Sequence, residues 1–317
     1  MSLNLDELYS NNIWWRWNKT FRDTLARHGQ IIETPQGRIE YTLHGQGPVV
    51  LGLHGTPGGY DQSLFTFKEV VDSGEFTLLA VSRPGYGRTP LSVGRSPSEQ
   101  ADALIALLDC LHIEKVAVMA ISGGGPIALQ LALRHPSRLW AVSLNAAVTK
   151  SYKYTASNTI SDKILRSNFG MWLFNFLAKY FTKQIALVMV DELSTYSKVE
   201  QKQLVSKILQ DSCKVKFIKR LASSSAPWSL RKDGLLNDEK EMARIEKWPL
   251  EDISTPTLII HGACDGDVNV DHAHYAADRI PKAKKIISQQ GFHLLELGSD
   301  YEDLVKCRLN FLRENVS

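Results

Sequence analysis

The sequence predicts an α/β fold with a mostly parallel central sheet, helices on both faces and an inserted helical segment. Short runs of continuous apolar residues, such as Thr77–Val81 and Val116–Ile121, alternate with helical patterns at the spacing of βαβ units. Strands that are apolar throughout are typical of parallel sheets, which are buried on both faces. In such folds the carboxyl ends of the strands carry the functional site.

The first half of the chain supplies the early elements in alternation. Arg38–Leu43 alternates as a half-buried strand does, and Val49–Leu53 is apolar throughout, as is the next strand, Thr77–Val81. Ser96 and Glu99 form a capping box with a proline at the first helical position. A helix is therefore expected from about 97 to 111.

The run from Val116 ends at Ser122, where three glycines and an Ala/Leu-rich helical pattern follow. A serine on a sharp strand-to-helix turn has its hydroxyl lifted clear of the sheet, as a nucleophile requires. The amide of Gly123 would then point to where an oxyanion forms. The usual pattern is G-x-S-x-G, and Ala120 replaces its first glycine. The alternative is a Gly-rich helix N-terminus that binds phosphate or only turns the chain.

A second loop of interest follows the strand Val49–Leu53. His54-Gly-Thr-Pro-Gly-Gly59 can aim a backbone amide at the site, and the Thr56 N–H is the expected second oxyanion donor. Pro57 and the flanking glycines would fix the shape of this loop. The alternative is an ordinary Pro/Gly turn.

The later strands lead to an acid and a base. The strand Pro256–Ile260 runs into His261-Gly-Ala-Cys-Asp265, and Asp265 is the expected acid. Asp267 competes for this role but is expected to be a solvated turn residue. His293 follows the strand-like Lys285–Ser288 and precedes a helical pattern from about 301 to 312, so it is the expected base.

These motifs together resemble those of the α/β-hydrolase fold superfamily, over about residues 30 to 315. The chain is similar to the cap-bearing serine hydrolases, of the esterase and lipase kind. The order serine, aspartate, histidine is that of this family. Two departures are Ala120 and Phe292, which separates Gly291 from His293. The motifs that carry the resemblance are His54-Gly-Thr-Pro-Gly58, Arg83-Pro-Gly-Tyr-Gly87, Ala120-Ile-Ser-Gly-Gly124, His261-Gly-Ala-Cys-Asp265 and Gly291-Phe-His293.

The resemblance implies hydrolysis of a carboxylic ester or thioester of a small or lipid-like acyl substrate. Ser122 would be the nucleophile, His293 the base and Asp265 its orienting acid, with no metal or organic cofactor. Two alternatives stay open. The His54–Gly59 loop is similar to that of proline iminopeptidases, and some proteins of this fold bind ligands without turnover. An aspartate nucleophile, as in dehalogenases and epoxide hydrolases, is excluded by Ser122.

The stretch from about 149 to 250 has no strand-like apolar run and is predicted to be helical, which divides the chain into an N-terminal amphipathic segment, a core and an inserted cap. We place them at 1–30, at 31–148 with 251–317, and at 149–250. The apolar stretch Gly170–Phe181 and the amphipathic stretch Lys198–Leu209 are expected to be cap helices. For Trp172, Phe176 and Met189 two roles stay open, packing within the cap or lining an apolar acyl pocket.

Residues 13–27 predict an amphipathic helix with an aromatic face and a basic face. We expect the aromatic face to pack on the hydrolase body or on a second subunit, which leaves a homodimer open. Peripheral contact with a membrane surface is the alternative. This segment is not expected to be a signal peptide, because it lacks a contiguous apolar region and a small-residue cleavage site. The aromatic face comprises Ile13, Trp14, Trp17, Phe21 and Leu25, and the basic residues are Arg16, Lys19, Arg22 and Arg27.

Composition limits the remaining functions. The net charge of +3 argues against nucleic-acid binding, and 317 residues with 44% apolar content can bury one large core plus a cap. Four cysteines without paired or metal-like spacing predict a reducing, cytoplasmic location, with Cys264 structural. His272 and His274 lie two apart, so they do not share a helix face. A surface helix start is expected there rather than a metal site.

Overall fold

The structure, a computed structural model, describes residues 14–153 and 166–316. Eight strands form one sheet in the order β1-β2-β4-β3-β5-β6-β7-β8. β1 pairs antiparallel with β2, and β2 pairs antiparallel with β4; all the other pairs are parallel. This confirms the predicted mostly parallel sheet. The strands are β1 Gln30–Thr34, β2 Gly37–Gly45, β3 Val49–Leu53, β4 Thr77–Val81, β5 Val116–Ile121, β6 Leu139–Asn145, β7 Thr257–Gly262 and β8 Ala283–Ser288.

Helices cover both faces of this sheet, and further helices lie between β6 and β7. The predicted capping box of Ser96 and Glu99 is formed at the start of the fourth helix. The helices within the described ranges are α1 Trp14–His28, α2 Tyr60–Thr66, α3 Lys68–Asp72, α4 Pro97–Cys110, α5 Gly125–Arg134, α6 Asn168–Tyr180, α7 Thr182–Leu193, α8 Lys198–Gln210, α9 Ser212–Ser224, α10 Lys232–Ala243, α11 Asp271–Ala277 and α12 Tyr301–Asn315. None of them is long and apolar enough to cross a membrane.

The core lies in two layers, one on each face of the sheet. β3, β4 and β5 contribute alternate residues to both layers, so they are buried almost throughout. Double-sided burial explains why these strands are apolar throughout in the sequence. β1 is different, because it pairs only with β2 at the sheet edge and is largely exposed. Its mixed sequence Gln-Ile-Ile-Glu-Thr gave no strand signal.

The N-terminal helix α1 packs on the body of the protein through its aromatic face. Trp17, Phe21 and Leu25 are buried in the same core layer as β4 and α12. Ile13, which was assigned to the same face, lies outside the described residues. Trp14 is 39% exposed and contacts Phe169 of α6 edge to face, with ring centroids 6.4 Å apart. The aromatic face is therefore mostly internal, and its first turn reaches the surface.

The chain between β6 and β7 contains helices α6 to α10. Helices α6 to α9 enclose an apolar cluster of their own, which also contacts Phe292 and Leu294 beside the predicted base. Met189 is buried in this cluster, whereas Trp172 is half-buried and packs on the core layer shared with α1. The division of the chain at 149 and 250 stays a prediction.

Candidate active site

The turn after β5 has the geometry of a nucleophile elbow. Ser122 has φ 49°, in the left-handed region that residues with a side chain rarely adopt. A Cβ at Gly124 would lie 2.8 Å from the carbonyl oxygen of Leu53, so this position has room only for glycine. Ala120 is fully buried within β5, where a methyl group is accommodated. The missing glycine of the usual pattern therefore does not prevent the turn.

The loop after β3 lies directly against this elbow. A Cβ at Gly55 would be 3.3 Å from Cβ of Ser122, and a Cβ at Gly123 would overlap Oγ1 of Thr56 and lie 3.6 Å from its backbone nitrogen. The amides of Thr56 and Gly123 are thus neighbours. Among the described residues, no group accepts a hydrogen bond from the Thr56 amide.

A buried ion pair holds this loop from the side of the inserted helices. Arg83, which follows β4, is fully buried and donates to both carboxylate oxygens of Asp238 in α10, at 3.0 and 2.6 Å. The same carboxylate accepts from the hydroxyls of Thr56, at 2.5 Å, and Tyr86, at 2.6 Å. Arg83 also donates to the carbonyl oxygen of Gly55. One carboxylate therefore joins α10 to the loop after β3.

A second buried arginine acts on the same loop. Arg231 donates from Nη2 to both carboxylate oxygens of Asp61, at 2.9 and 2.8 Å, and from Nη1 to the carbonyl oxygen of Gly58 at 2.6 Å. His54 completes the support: its Nδ1 donates to the Gly55 carbonyl, and its Nε2 accepts from the Arg83 amide. Burial, followed by the charge of Arg83, lowers the pKa of His54 well below its ordinary value, so this ring is neutral.

The predicted acid is held by four donors in the loop after β7. Oδ1 of Asp265 accepts from the amides of Asp267 and Val268, both at 2.9 Å. Oδ2 lies 2.9 Å from Nδ1 of His293 and 3.2 Å from Nε2 of His261, whose hydrogen also points to the Val268 carbonyl. Burial alone would raise the pKa of Asp265, but the charge of His293 and these hydrogen bonds lower it to about 2. Asp265 is therefore ionised.

The predicted base lies between two carboxylates. Nδ1 of His293 faces Asp265, and its Nε2 lies 3.4 Å from Oδ2 of Asp267. The other oxygen of Asp267 accepts a hydrogen bond from the Tyr152 hydroxyl at 2.5 Å. Burial would lower the pKa of His293, but the charges of Asp265 and Asp267 raise it to about 9. The expectation that Asp267 is only a solvated turn residue was wrong, because its half-buried carboxylate faces the imidazole.

The two carboxylates beside His293 favour its protonated form. A neutral imidazole that donates from Nδ1 to Asp265 has a lone pair on Nε2, which would repel the Asp267 carboxylate. The 3.4 Å contact is favourable only when Nε2 carries a hydrogen. Within the described ranges, the Ser122 hydroxyl makes no hydrogen bond to His293. Ser122 and His293 nevertheless follow the carboxyl ends of strands in the same part of the sheet, because β5 to β8 are adjacent and parallel.

Two backbone contacts fix the histidine loop. A Cβ at Gly262 would overlap the backbone of Gly291, and the amide of Cys264 donates to the Gly291 carbonyl at 2.9 Å. Phe292 is fully buried and lies against Tyr196, with ring centroids 5.9 Å apart. The phenylalanine that departs from the family pattern therefore anchors His293 on the inserted helices.

Sequence reasoning missed several of these residues and misplaced one. Arg83 was part of a quoted motif, and a buried arginine requires a carboxylate, but no pattern pointed to Asp238. His272 was expected at a surface helix start, whereas it is buried in α11 and accepts from the Thr149 amide at 3.0 Å. The four cysteines are free. The described residues contain no group of three or more metal-binding side chains.

Comparison with known proteins agrees with this architecture. Residues 48–298 match the family model described as the alpha/beta hydrolase fold. The chain belongs to the α/β-hydrolase fold family. This α/β-hydrolase is 28% identical over 295 residues to the protein named "Uncharacterized hydrolase YcgS" of Bacillus subtilis, covering 91% of this chain and 99% of that one.

Solved structures of this family are also similar. An alpha/beta hydrolase fold protein from Nakamurella multipartita has a TM-score of 0.85 and 30% identity, covering 90% of this chain and 99% of its own. A thermophilic esterase from Thermogutta terrifontis has a TM-score of 0.62 at 20% identity, with 91% and 99% covered. The second likeness shows the fold alone.

Proposed function

We propose that this α/β-hydrolase is a serine esterase that cleaves a small or lipid-like carboxylic ester, or a thioester, through an acyl-Ser122 intermediate. The supporting observation is that a serine with left-handed backbone and the Asp265–His293 pair both follow the carboxyl ends of neighbouring parallel strands. Strained backbone at a serine is the arrangement that presents its hydroxyl to a substrate. The helices between β6 and β7 would act as the cap over the carboxyl ends of these strands.

The chemistry assigns one role to each group. Neutral His293 would accept the Ser122 proton as Ser122 Oγ attacks the carbonyl carbon, and Asp265 would hold Nδ1–H and stabilise the imidazolium. The amides of Thr56 and Gly123 would donate to the oxyanion. His293 would return the proton to the leaving alcohol or thiol, and water deprotonated by His293 would hydrolyse the acyl ester.

Asp267 adds a step before this cycle. His293 must lose the Nε2 hydrogen that faces Asp267 before Nε2 can accept from Ser122. The active form would therefore be the alkaline one, with the imidazole released from Asp267 and turned toward the serine. Because the pKa of His293 is raised to about 9, only a small fraction of the ring is neutral at neutral pH, and activity should rise with pH.

A covalent label tests the proposal. We expect a fluorophosphonate probe to label the native protein at pH 9 and to fail with Ser122→Ala and His293→Ala. Ser299→Ala, which changes an exposed serine, is the matched control and should label normally. Hydrolysis of p-nitrophenyl esters should fall by about 1000-fold or more in Ser122→Ala.

The same assay separates the alternatives. Faster turnover of proline p-nitroanilide than of any p-nitrophenyl ester would indicate an aminopeptidase instead. A folded native protein that is not labelled at pH 7 or pH 9 would contradict the hydrolase assignment and favour a ligand-binding role. Circular dichroism establishes folding in each case.

A further inference from the structure

An aromatic ladder reaches the surface where α1 meets α6. It consists of Trp14, Phe169, Trp172, Phe176 and Tyr180, whose rings contact one another in that order. The successive centroids are 6.4, 5.4, 5.8 and 4.8 Å apart. From Phe169 to Tyr180 the helix rises by roughly 16 Å. The ladder is therefore one continuous aromatic strip along α6.

Both ends of the aromatic ladder are exposed to solvent. Trp14 is 39% and Tyr180 49% exposed. Exposed aromatic residues also lie beside them: Trp15 is 56%, Phe169 48% and Phe181 49% exposed. Exposure of large aromatic side chains to water is unfavourable, and a partner surface that covers them would remove this cost. These exposed aromatic residues lie on or next to α1 and α6, each of which also has buried residues.

Within the two helical segments that carry the aromatic ladder, every charged side chain is basic. Residues 14–22 and 167–190 contain no aspartate or glutamate. Arg16, Lys19 and Lys183 are exposed, and the guanidinium of Arg16 lies over the Trp15 ring, 5.1 Å from its centroid. Aromatic rings flanked by cations are typical of protein surfaces that bind the interfacial layer of a bilayer with anionic headgroups.

We propose that this face binds peripherally to an anionic lipid surface, with Trp14, Trp15, Phe169 and Phe181 entering the headgroup region. Tryptophan favours that depth because its ring is apolar and carries one polar N–H, and the phenylalanines add apolar area. The cations would contact lipid phosphates, and each contributes about fivefold to the partition coefficient. Such binding would bring the hydrolase to substrates dissolved in a membrane, but it does not depend on the proposed chemistry.

Vesicle sedimentation tests this proposal without an activity assay. The probe is a vesicle of phosphatidylcholine with phosphatidylglycerol, compared with pure phosphatidylcholine at low salt. We expect binding to the anionic vesicle and weak binding to the neutral one. Arg16→Gln, Lys19→Gln and Lys183→Gln together should lower the partition coefficient by about 100-fold. Lys115→Gln with Lys282→Gln removes exposed cations elsewhere and should have little effect.

The apolar part is tested separately. Trp15→Ser with Phe181→Ser should reduce binding by about tenfold or more. The matched control is Val199→Ser with Leu236→Ser, since these residues are 66% and 50% exposed on other helices. Thermal melting checks that each variant is folded.

Three outcomes would overturn the proposal. The first is no binding to the anionic vesicle at low salt. The second is that Trp15→Ser with Phe181→Ser and the control Val199→Ser with Leu236→Ser lose binding equally. The third is a dimer that Trp15→Ser with Phe181→Ser dissociates and whose native form does not bind vesicles. That result would assign the aromatic ladder to a second copy of the chain.

Discussion

Replacing Asp267 with asparagine should shift the pH dependence of activity toward neutral pH. The carboxylate oxygen lies 3.4 Å from Nε2 of His293 and stabilises the protonated ring. At that distance two unit charges interact by about 1.2 kcal/mol at the dielectric of water, which corresponds to about one pH unit. The 24% exposure of the Asp267 side chain makes the solvent-screened figure the suitable one.

The assay is kcat/KM for a p-nitrophenyl ester between pH 5 and pH 10. For the native enzyme we expect activity to rise with pH, with an apparent pKa well above the 6.5 of an ordinary histidine and toward about 9. In Asp267→Asn the same rise should occur about one pH unit lower. Asp278→Asn removes a carboxylate that is 73% exposed and should leave the profile unchanged. An unchanged profile in Asp267→Asn would refute the release step.

Three further predictions concern the loops and the buried charges. Gly123→Ala places a methyl group that overlaps Oγ1 of Thr56, so kcat should fall by about 100-fold or more in a variant that circular dichroism shows to be folded. An unchanged kcat would remove the oxyanion role of this loop. Asp238→Ala leaves Arg83 as an uncompensated buried charge and should lower the free energy of unfolding in urea by about 3–5 kcal/mol. Asp61→Ala, at the second pair, should lower it by a similar amount, and losses below about 1 kcal/mol would contradict this. The pKa of His293 rises on folding from 6.5 to about 9, so its stabilisation is complete below pH 6.5 and is lost as the pH rises to about 9; the fall in melting temperature over that window should be smaller in His293→Gln.

The strands and the catalytic candidates could be predicted because each has a local signal. β3, β4 and β5 are apolar throughout, since both of their faces are buried. Ser122 is followed by glycines because the elbow packs against neighbouring backbone, and this constraint is written in adjacent residues. β1 was missed because an exposed edge strand needs no apolar pattern.

Pairings between distant residues could not be predicted in this way. Arg83 and Asp238 are 155 positions apart, and nothing near either residue specifies the other. The position of Asp267 opposite His293 depends on how two loops turn after β7 and β8, which composition does not determine. Burial of His272 likewise depends on the chain after β6, through Thr149.

The two buried arginine pairs also bear on how this chain could be recombined. Arg83 belongs to the core and Asp238 to the inserted helices, whereas in the other pair Asp61 belongs to the core and Arg231 to the insertion. Exchange for an insertion without these two residues would therefore leave Arg83 and Asp61 as unpaired buried charges of opposite sign beside the loop that contacts the serine. Grafted chimeras should fold only when both partner residues travel with the graft, so the insertion is not an interchangeable module.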